Sequence, residues 1–249
     1  MQKIKPDEEL KIIAHRGFNI DYPENTLLAY KVALNASVDM LEIDVHLTQD
    51  QELVVIHDDK IDRTSNGSGY VKDYTLDELK SYDFGSWKDS TFEGTHIMTF
   101  GEVVKLVQAY DITLLIEIKK PSQYPNIEEI LIRELKEYRL YPERVIIQSF
   151  DEKSMQKIAK ITQNYELGLL LSKKKYLMRM PNFNKIAKYC QYVNPNYQLV
   201  NRKFVERAHL HGLQVLPYTV NDIDEIKKLI DLGVDGIITD GPNYYFDLD

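Results

Sequence analysis

Strand-like apolar runs alternate with helix-like segments along almost the whole sequence, and this alternation restricts the fold more than any other feature. Nine short runs are typical of strands: "KIIAH", "MLEIDVHL", "LVVIH", "TLLIEIK", "VIIQSF", "ELGLLL", "YVNPNY", "QVLPYTV" and "GIITD". Amphipathic segments of helical length, such as "IEEILIRELKEY" and "DIDEIKKLIDLG", separate most of them. Strands that alternate with helices form βαβ units. The sequence therefore predicts an α/β protein with a parallel sheet.

The second and third runs break this pattern, because only residues 48–52 separate them. A parallel crossover needs roughly a dozen residues. We therefore expect an antiparallel hairpin that turns near Gln49 and Asp50 and places Glu42 roughly opposite His57. The remaining strands predict a (β/α)8 TIM barrel with a β-hairpin after strand 2. The length of 249 residues is that of one such barrel, so we expect a single domain over residues 1–249.

Residues 59–99 are too long for an ordinary connection between a strand and a helix. The segment is rich in Gly, Ser, Asp and Tyr, and "TLDELKS" within it predicts one short helix. We expect a small insertion over the C-terminal face of the barrel, where the loops form the active sites of this architecture.

Charge and cysteine content disfavour several classes of partner and limit the covalent links within the chain. The net charge of −8 disfavours nucleic acid and anionic membranes as partners. The lone Cys190 excludes an internal disulfide and fits a reducing compartment. The sequence has no run long enough for membrane insertion, and "MQKIKPDEELK" lacks the apolar centre of a signal peptide. We expect a cytoplasmic protein, although a chain whose signal had been removed would look the same.

Charged side chains on two buried strands are predicted to converge. Side chains of a strand alternate between its faces, so Glu42 and Asp44 share one face. The same alternation places Glu117 and Lys119 on one face of a later strand. The apolar neighbours should meet the outer helices, which directs the charged set into the barrel mouth. Buried carboxylates repel one another unless a cation compensates them.

Three carboxylates favour a hard divalent cation, Ca²⁺ or Mg²⁺, with Mn²⁺ as a further candidate. The alternative is a purely structural ion cluster. His46 shares the face of Glu42 and Asp44, and its participation as a ligand would instead favour a transition metal.

Two histidines and an arginine are expected beside this cluster. His15 and Arg16 follow the first strand, and the hairpin returns His57 to the mouth. Two imidazoles and a guanidinium beside a cation suit general acid–base work on a phosphate ester, with Arg16 and Lys119 as anion partners. His209 and His211 are expected in solvent, and His96 has no assigned role. Ser149 should point away from the barrel interior, so the nucleophile is water, a histidine or the substrate.

Motifs distributed over essentially the whole chain resemble the glycerophosphodiester phosphodiesterase family. They are "AHRG", "PENT", "EIDVHLTQD", "VVIHDD", "DRTSNGSG", "LLIEIK", "QSF" and "GVDGIITDGP", in family order. The resemblance implies a TIM barrel with an insertion after the second histidine. It also implies cleavage of a glycerophosphodiester through a cyclic phosphate formed by the substrate's own C2 hydroxyl.

Carried over residue by residue, the resemblance implies a role for each matching position. Glu42, Asp44 and Glu117 would hold the divalent cation. His15 and His57 would be the acid–base pair. Arg16 and Lys119 would bind phosphate. Glu24 and Asn25 would either support the site or belong to the start of a helix.

The chain departs from the family pattern at two places. Tyr218 in "YTVND" replaces the usual tryptophan, which keeps a flat wall for the substrate and adds a hydroxyl. Ala36, Ser37 and Val38 replace a small Gly-Ala pair, and we expect only a local backbone change there.

We conclude from the sequence that the chain is a metal-dependent phosphodiesterase that releases glycerol 3-phosphate and an alcohol from a small glycerophosphodiester. A phospholipase-type enzyme acting on lysolipids would need an apolar apron, for which "SYDFGSW" around Trp87 is the candidate. A non-enzymatic binding protein should have lost part of the site, yet all of its residues are present.

Overall fold

The computed structural model describes residues 3–5 and 9–248. The strands are β1 (Lys11–His15), β2 (Met40–Leu47), β3 (Leu53–Val55), β4 (Met98–Thr99), β5 (Thr113–Ile118), β6 (Val145–Ser149), β7 (Glu166–Leu171), β8 (Tyr192–Pro195), β9 (Gln214–Val215) and β10 (Gly236–Thr239). The helices are α1 (Leu27–Asn35), α2 (Leu76–Lys80), α3 (Phe100–Val107), α4 (Ile127–Glu137), α5 (Glu152–Ile161), α6 (Lys173–Tyr176), α7 (Phe183–Ile186), α8 (Arg202–Leu210), α9 (Ile223–Asp231) and α10 (Pro242–Tyr245). All nine predicted strands are confirmed.

The parallel strands form a closed barrel in the order β10-β1-β2-β5-β6-β7-β8-β9. Closure occurs beyond β9, where the Ile238 amide donates to the Pro217 carbonyl at 3.1 Å. The Val220 amide in turn donates to the Ile238 carbonyl at 2.9 Å. Each barrel strand is therefore hydrogen-bonded to a neighbour on both sides. The barrel leaves no exposed strand edge with unpaired backbone N–H and C=O groups. The predicted (β/α)8 fold is confirmed.

Strand alternation divides the side chains of the barrel between two layers. Outward apolar residues pack against the surrounding helices in the main core, and Ile43 and Ile116 are fully buried there. Inward residues of the lower barrel form a separate apolar plug of Ile13, Met40, Leu115, Ile146, Tyr192, Leu216 and Ile238. The plug closes the barrel from below, so polar side chains can enter its interior only near the carboxyl ends of the strands.

The hairpin after strand 2 is confirmed, but its register differs by one residue from the expected one. Val45 pairs with Val55, and the Ile56 amide donates to the Asp44 carbonyl at 3.1 Å. His57 therefore lies just beyond the pairing and not opposite Glu42. The cause is a three-residue loop, residues 49–51, which ends with Gln51 in a left-handed conformation at φ 66°.

The segment after the hairpin contains α2 where "TLDELKS" predicts a helix, and it forms a small apolar core of its own with β3. Strand β4 was not predicted, because its two residues exist as a strand only through pairing with β3. At the end of α1, Ser37 adopts φ 51°, a left-handed conformation that usually favours glycine. Among the described residues, no helix is long and apolar enough to cross a membrane.

Candidate active site

The His-Arg-Gly run at the end of β1 is a sharp turn onto α1. Arg16 and Gly17 both have left-handed backbones, at φ 56° and 84°. A Cβ atom on residue 17 would lie 2.7 Å from the carbonyl carbon of Ala29, so only glycine fits against α1. The turn directs the Arg16 amide to Glu42, whose Oε2 accepts its hydrogen bond at 3.0 Å.

Three carboxylates meet inside the barrel mouth, as the strand alternation predicts. The pairing of β2 with β5 aligns Asp44 with Glu117, and Glu42 lies one step lower on the same face of β2. Oxygen atoms of these three residues lie within 4.8 Å of one another, and all three side chains are buried. This cluster is the one group among the described residues whose geometry could hold a metal ion.

Two cations from the chain contact the cluster but leave it incompletely satisfied. The Arg16 Nε lies 3.1 Å from Asp44 Oδ2, and the Lys119 Nζ lies 2.7 Å from Glu117 Oε1. The Lys119 Nζ is 3.5 Å from Asp44 Oδ1, an atom that is fully buried and has no hydrogen-bond partner within the described structure. An orphaned carboxylate oxygen between two other carboxylates fits a divalent cation.

The carboxyl groups of the cluster differ in their pKa values. Burial, with the charges of Asp44 and Glu117, raises the pKa of Glu42 well above its usual range. Burial also raises the pKa of Glu117, although Lys119 opposes this. For Asp44, burial acts in the same direction, but Lys119 and Arg16 outweigh it and hold its pKa well below the usual range. Asp44 is therefore ionised, and added positive charge would favour ionisation of its two neighbours.

The "PENT" motif combines helix capping with support of the site. Thr26 caps α1 by accepting from the Ala29 amide. The Asn25 amide group donates to Asp44 Oδ2 at 3.0 Å. Arg16 Nη1 donates to Glu24 Oε1 at 3.0 Å. Of the two roles left open for Glu24 and Asn25, these contacts favour support of the site.

Each of the two candidate acid–base histidines lies against an aspartate. His15 Nδ1 is 2.6 Å from Asp240 Oδ1, and His57 Nδ1 is 2.6 Å from Asp58 Oδ1. Since an ionised carboxylate can only accept, each Nδ1 carries a hydrogen atom and donates a hydrogen bond to the carboxylate. This leaves the Nε2 atom of each ring for chemistry.

The aspartates are ionised at neutral pH. Burial would raise the pKa of Asp240, but the hydrogen bond and charge of His15 lower it to about 2. Burial would also raise the pKa of Asp58, but hydrogen bonds from Arg63 and His57 lower it to about 2. Burial also lowers the pKa of His57, so its imidazole is neutral and can accept a proton.

The sequence motifs alone predict no role for Asp240, Asp58 or Arg63. Arg63 donates to both oxygens of Glu24, at 2.7 and 2.8 Å, and to Asp58 Oδ2 at 2.8 Å. Arg63 thereby connects Glu24, which contacts Arg16, to Asp58, which contacts His57. Strand alternation could have identified Asp240 as a site residue. It lies two positions after Ile238, so it faces the barrel interior as Ile238 does, and β10 pairs with β1, which carries His15.

His46 is not part of the carboxylate cluster, which excludes the less favoured of its two interpretations, that of a metal ligand. Its Nδ1 lies 2.7 Å from the Tyr124 hydroxyl, and its Nε2 lies 3.0 Å from the His57 carbonyl. Both ring nitrogens are thus engaged, and burial lowers the pKa of His46 to about 4. A neutral His46 donates from Nε2 to the His57 carbonyl and so fixes the backbone of His57.

A cleft of about 1100 Å³ opens from the cluster across the ends of β5 and β6, and His57, Glu117 and Lys119 belong to its lining. Phe150 also lines it, with 40% of its surface exposed, and the ring of Tyr218 lies 5.8 Å from that of Phe150 in an edge contact. Tyr218 thus packs edge-on against a ring that lines the cleft, and its role as a flat wall for the substrate stays a prediction.

Other polar residues of the sequence analysis lie outside the reacting groups. The Ser149 hydroxyl is buried and donates to the Ile118 carbonyl at 2.8 Å. His209 pairs with Asp235 at 2.9 Å, His211 Nδ1 bonds the Arg207 carbonyl, and His96 is exposed in the insertion.

The apolar apron expected around Trp87 is not present. Phe84 is buried in the small core of the insertion. The indole of Trp87 is only partly exposed and donates to the Phe84 carbonyl at 3.0 Å. The interpretation of "SYDFGSW" as a membrane-facing surface is therefore wrong.

Comparison with known proteins shows the family of the chain. The model of the Glycerophosphoryl diester phosphodiesterase family matches residues 15–244. A glycerophosphodiester phosphodiesterase from Caldanaerobacter subterraneus is 39% identical, with 95% of this chain and 96% of that protein covered. The chain belongs to the glycerophosphoryl diester phosphodiesterase family. The resemblance seen in the sequence motifs is thus confirmed.

Two further relatives agree with this family assignment. A glycerophosphodiester phosphodiesterase from Bacillus subtilis is 35% identical, with 97% of this chain and 87% of that protein covered. The structure of an Oleispira antarctica phosphodiesterase, solved with the product sn-glycerol-3-phosphate, is similar with a TM-score of 0.86. It is 26% identical, and 94% of each chain is covered. As a member of the glycerophosphoryl diester phosphodiesterase family, the chain is a hydrolase of phosphate diesters.

Proposed function

We propose that the chain is a divalent-cation-dependent enzyme that hydrolyses glycerophosphodiesters to glycerol 3-phosphate and an alcohol. The observation that carries the proposal is the convergence of three buried carboxylates and two aspartate-bound histidines on one barrel mouth. The relatives named as glycerophosphodiester phosphodiesterases, and the related enzyme that binds sn-glycerol-3-phosphate, support the choice of substrate.

Glu42, Asp44 and Glu117 would hold the cation, and the all-oxygen ligand set favours Ca²⁺ or Mg²⁺. When bound, such a cation supplies positive charge to phosphate oxygens and makes a nearby hydroxyl more acidic. The orphaned Asp44 Oδ1 supports this assignment independently of the family.

Arg16 and Lys119 would bind the phosphate. Their pKa values are raised, because neighbouring carboxylates outweigh the effect of burial, so both carry full charge. Glu24 holds one side of the Arg16 guanidinium, which fixes the direction in which it can donate. Phe150 and Tyr218 would contact the alcohol part of the substrate along the open cleft.

The two histidines would exchange protons with the substrate in two steps. In the first, neutral His57 takes the proton of the C2 hydroxyl, whose oxygen forms a bond to phosphorus. The bond from phosphorus to the alcohol oxygen breaks, and His15, with its positive charge stabilised by Asp240, gives that oxygen a proton. In the second step, His15 takes a proton from water, whose oxygen forms a bond to phosphorus. The bond from phosphorus to the C2 oxygen breaks, and His57 returns a proton to that oxygen. Attack by a hydroxyl already next to phosphorus gains the advantage of proximity.

The proposal is tested with purified protein and a panel of glycerophosphodiesters, with lysophosphatidylcholine as the lipid member. Release of glycerol 3-phosphate from the soluble diesters is followed with a coupled dehydrogenase, and release of choline from the lysolipid with a coupled choline oxidase, in the presence of Ca²⁺, Mg²⁺ or Mn²⁺. We expect turnover of at least one soluble diester. Faster cleavage of the lysolipid than of every soluble diester would overturn the substrate assignment.

A diester in which hydrogen replaces the C2 hydroxyl tests the nucleophile separately. We expect this analogue to bind as a competitive inhibitor but to turn over far more slowly than the parent. Cleavage at the parent rate would mean that water attacks phosphorus directly.

A further inference from the structure

A strongly basic segment lies next to the active-site cleft of this acidic protein. Residues 167–205 contain no aspartate or glutamate, whereas the whole chain has a net charge of −8. The positive charge is densest in "KKKYLMRM", residues 173–180, which we call the basic loop. It follows β7 and begins with α6.

The basic loop also exposes large apolar side chains. Leu177, Met178 and Met180 are 58%, 93% and 37% exposed. Such residues are usually scattered singly over a protein surface, and a cluster of them indicates a contact surface. Apolar side chains interleaved with lysine and arginine are typical of segments that enter the interfacial region of a membrane.

No close ion pair joins a cation of the loop to a carboxylate in the part of the chain that the structure describes, although the charge of Lys175 acts on Glu152, which lines the same cleft. Lys173 donates to the Gln198 side chain at 2.6 Å, and Arg179 donates to the Lys175 carbonyl at 3.2 Å. Lys175 and Arg179 lie over the Tyr176 ring, at 5.2 and 5.3 Å from its centroid. Their positive charge therefore remains available to an external anionic surface.

The loop lies on the face of the barrel that carries the site. Lys175 lines the same cleft as His57, Glu117 and Lys119. A surface in contact with the loop would therefore bring its head groups to the mouth of that cleft. Asp151 and Glu152 line the same cleft and reduce the local positive charge. Negative charges farther away do not prevent this contact, because exposed charges beyond about 8 Å are largely screened at physiological ionic strength.

We propose that the basic loop docks the enzyme on membranes that contain anionic lipid. Leu177, Met178 and Met180 enter the interface, and the surrounding lysines and arginine lie over the head groups. Neither contribution is sufficient alone, since a few apolar side chains or a few charges give only marginal membrane affinity. The docked enzyme would meet diesters that are released at, or retained by, the lipid surface.

The test is sedimentation of the full chain with vesicles of phosphatidylcholine alone or mixed with phosphatidylglycerol. The variant Lys174→Gln/Met178→Ser changes one charge and one apolar side chain, neither of which lines the cleft. About fivefold in affinity is expected per basic residue near an anionic surface. With the apolar change included, we expect binding to the mixed vesicles to fall roughly tenfold or more. Binding should also decrease with added salt.

A matched control is Lys136→Gln/Leu210→Ser. Lys136 lies near the end of α4 and Leu210, 81% exposed, ends α8, so both lie on the opposite face of the barrel. This control should bind vesicles like the parent, and both variants should hydrolyse a soluble diester at the parental rate. Vesicle binding is measured without catalysis, so its outcome is independent of the proposed reaction.

Three results would overturn the docking proposal. One is equal binding to vesicles with and without phosphatidylglycerol. Another is unchanged binding of the Met178→Ser single variant, which would indicate a site for soluble anions instead of a membrane surface. The last is a loss of binding in the control as large as that in the loop variant.

Discussion

Substitution of Asp240 by asparagine should impair turnover while leaving substrate binding largely intact. Asp240 Oδ1 accepts from His15 Nδ1 and from the Asn19 side chain, and Oδ2 accepts from Asn221. An asparagine can present only one acceptor oxygen. Asn221 cannot rotate to compensate, because its own oxygen accepts from Thr239 and from the Asp240 amide. Either His15 loses its acceptor or the exposed amide group of Asn221 loses its partner.

The magnitude follows from the same contacts. The pKa of Asp240 falls from 3.8 to about 2 on folding, and such a shift corresponds to roughly 2 kcal/mol of stability at neutral pH. Because the folded pKa is depressed, this stability is present above pH 3.8 and is lost as pH falls toward 2. At 2–4 °C per kcal/mol, we expect Asp240→Asn to lower the melting temperature by roughly 4–8 °C.

The catalytic loss should exceed this structural one. A misoriented acid or base typically costs roughly 10²–10⁴-fold in rate. We expect kcat of Asp240→Asn to fall within that range. KM should change little, because the proposed phosphate contacts of Arg16 and Lys119 do not involve Asp240. The assay is steady-state release of glycerol 3-phosphate from a soluble diester, well below the melting temperature.

The chain contains a matched control for this experiment. Asp235 pairs with His209 at 2.9 Å on the surface, away from the barrel mouth. Asp235→Asn should leave kcat within about twofold of the parent, since surface pairs contribute little and this one touches no reacting group. The reasoning is refuted if Asp240→Asn retains kcat within fivefold of the parent, or if its loss appears only in KM.

Three further predictions follow from the site. A chelator should abolish turnover, and the restoring cation should raise the melting temperature, because a ligand that binds only the folded state stabilises it; full activity in excess chelator would contradict the cation site. His15→Ala and His57→Ala should each lower kcat by roughly 10²–10⁴-fold, and near-parental turnover of either would remove that histidine from the chemistry. Gly17→Ala should lower the free energy of unfolding in urea by roughly 2–4 kcal/mol, because strain and the contact with Ala29 add. Gly94 has a similar φ of 85° but open space around it, so Gly94→Ala measures the backbone strain alone. An equal loss of unfolding free energy in Gly94→Ala would exclude the contact with Ala29 as a cause of the Gly17→Ala effect.

Local pattern in the sequence was sufficient for the fold and for the centre of the site. The period of two along "LEIDVHL" and "LLIEIK" places Glu42, Asp44 and Glu117 on inward faces, and the structure places them together. This succeeds because the direction of a strand side chain depends only on its position along the strand. The hairpin was also predictable, because the length of a connection limits the strand pairings that it permits.

The hairpin register and the partners of His46 were not predictable in this way. The register depends on the left-handed conformation of Gln51, which a residue other than glycine adopts only at a cost. His46 lies on the predicted face, but the hairpin has left the barrel there, and Tyr124 from a distant loop occupies its Nδ1.

The sequence by itself determined which residues face the barrel interior, because that information is local to each strand. Only the tertiary structure decided which partners those residues meet. His15 and Asp240 are 225 positions apart, and barrel closure brings them to 2.6 Å. Arg63 likewise joins Glu24 to Asp58 only because the segment after the hairpin folds back over the mouth. Such contacts form between elements, so they depend on how the strands close and how the loops pack, and no periodicity within one segment encodes them.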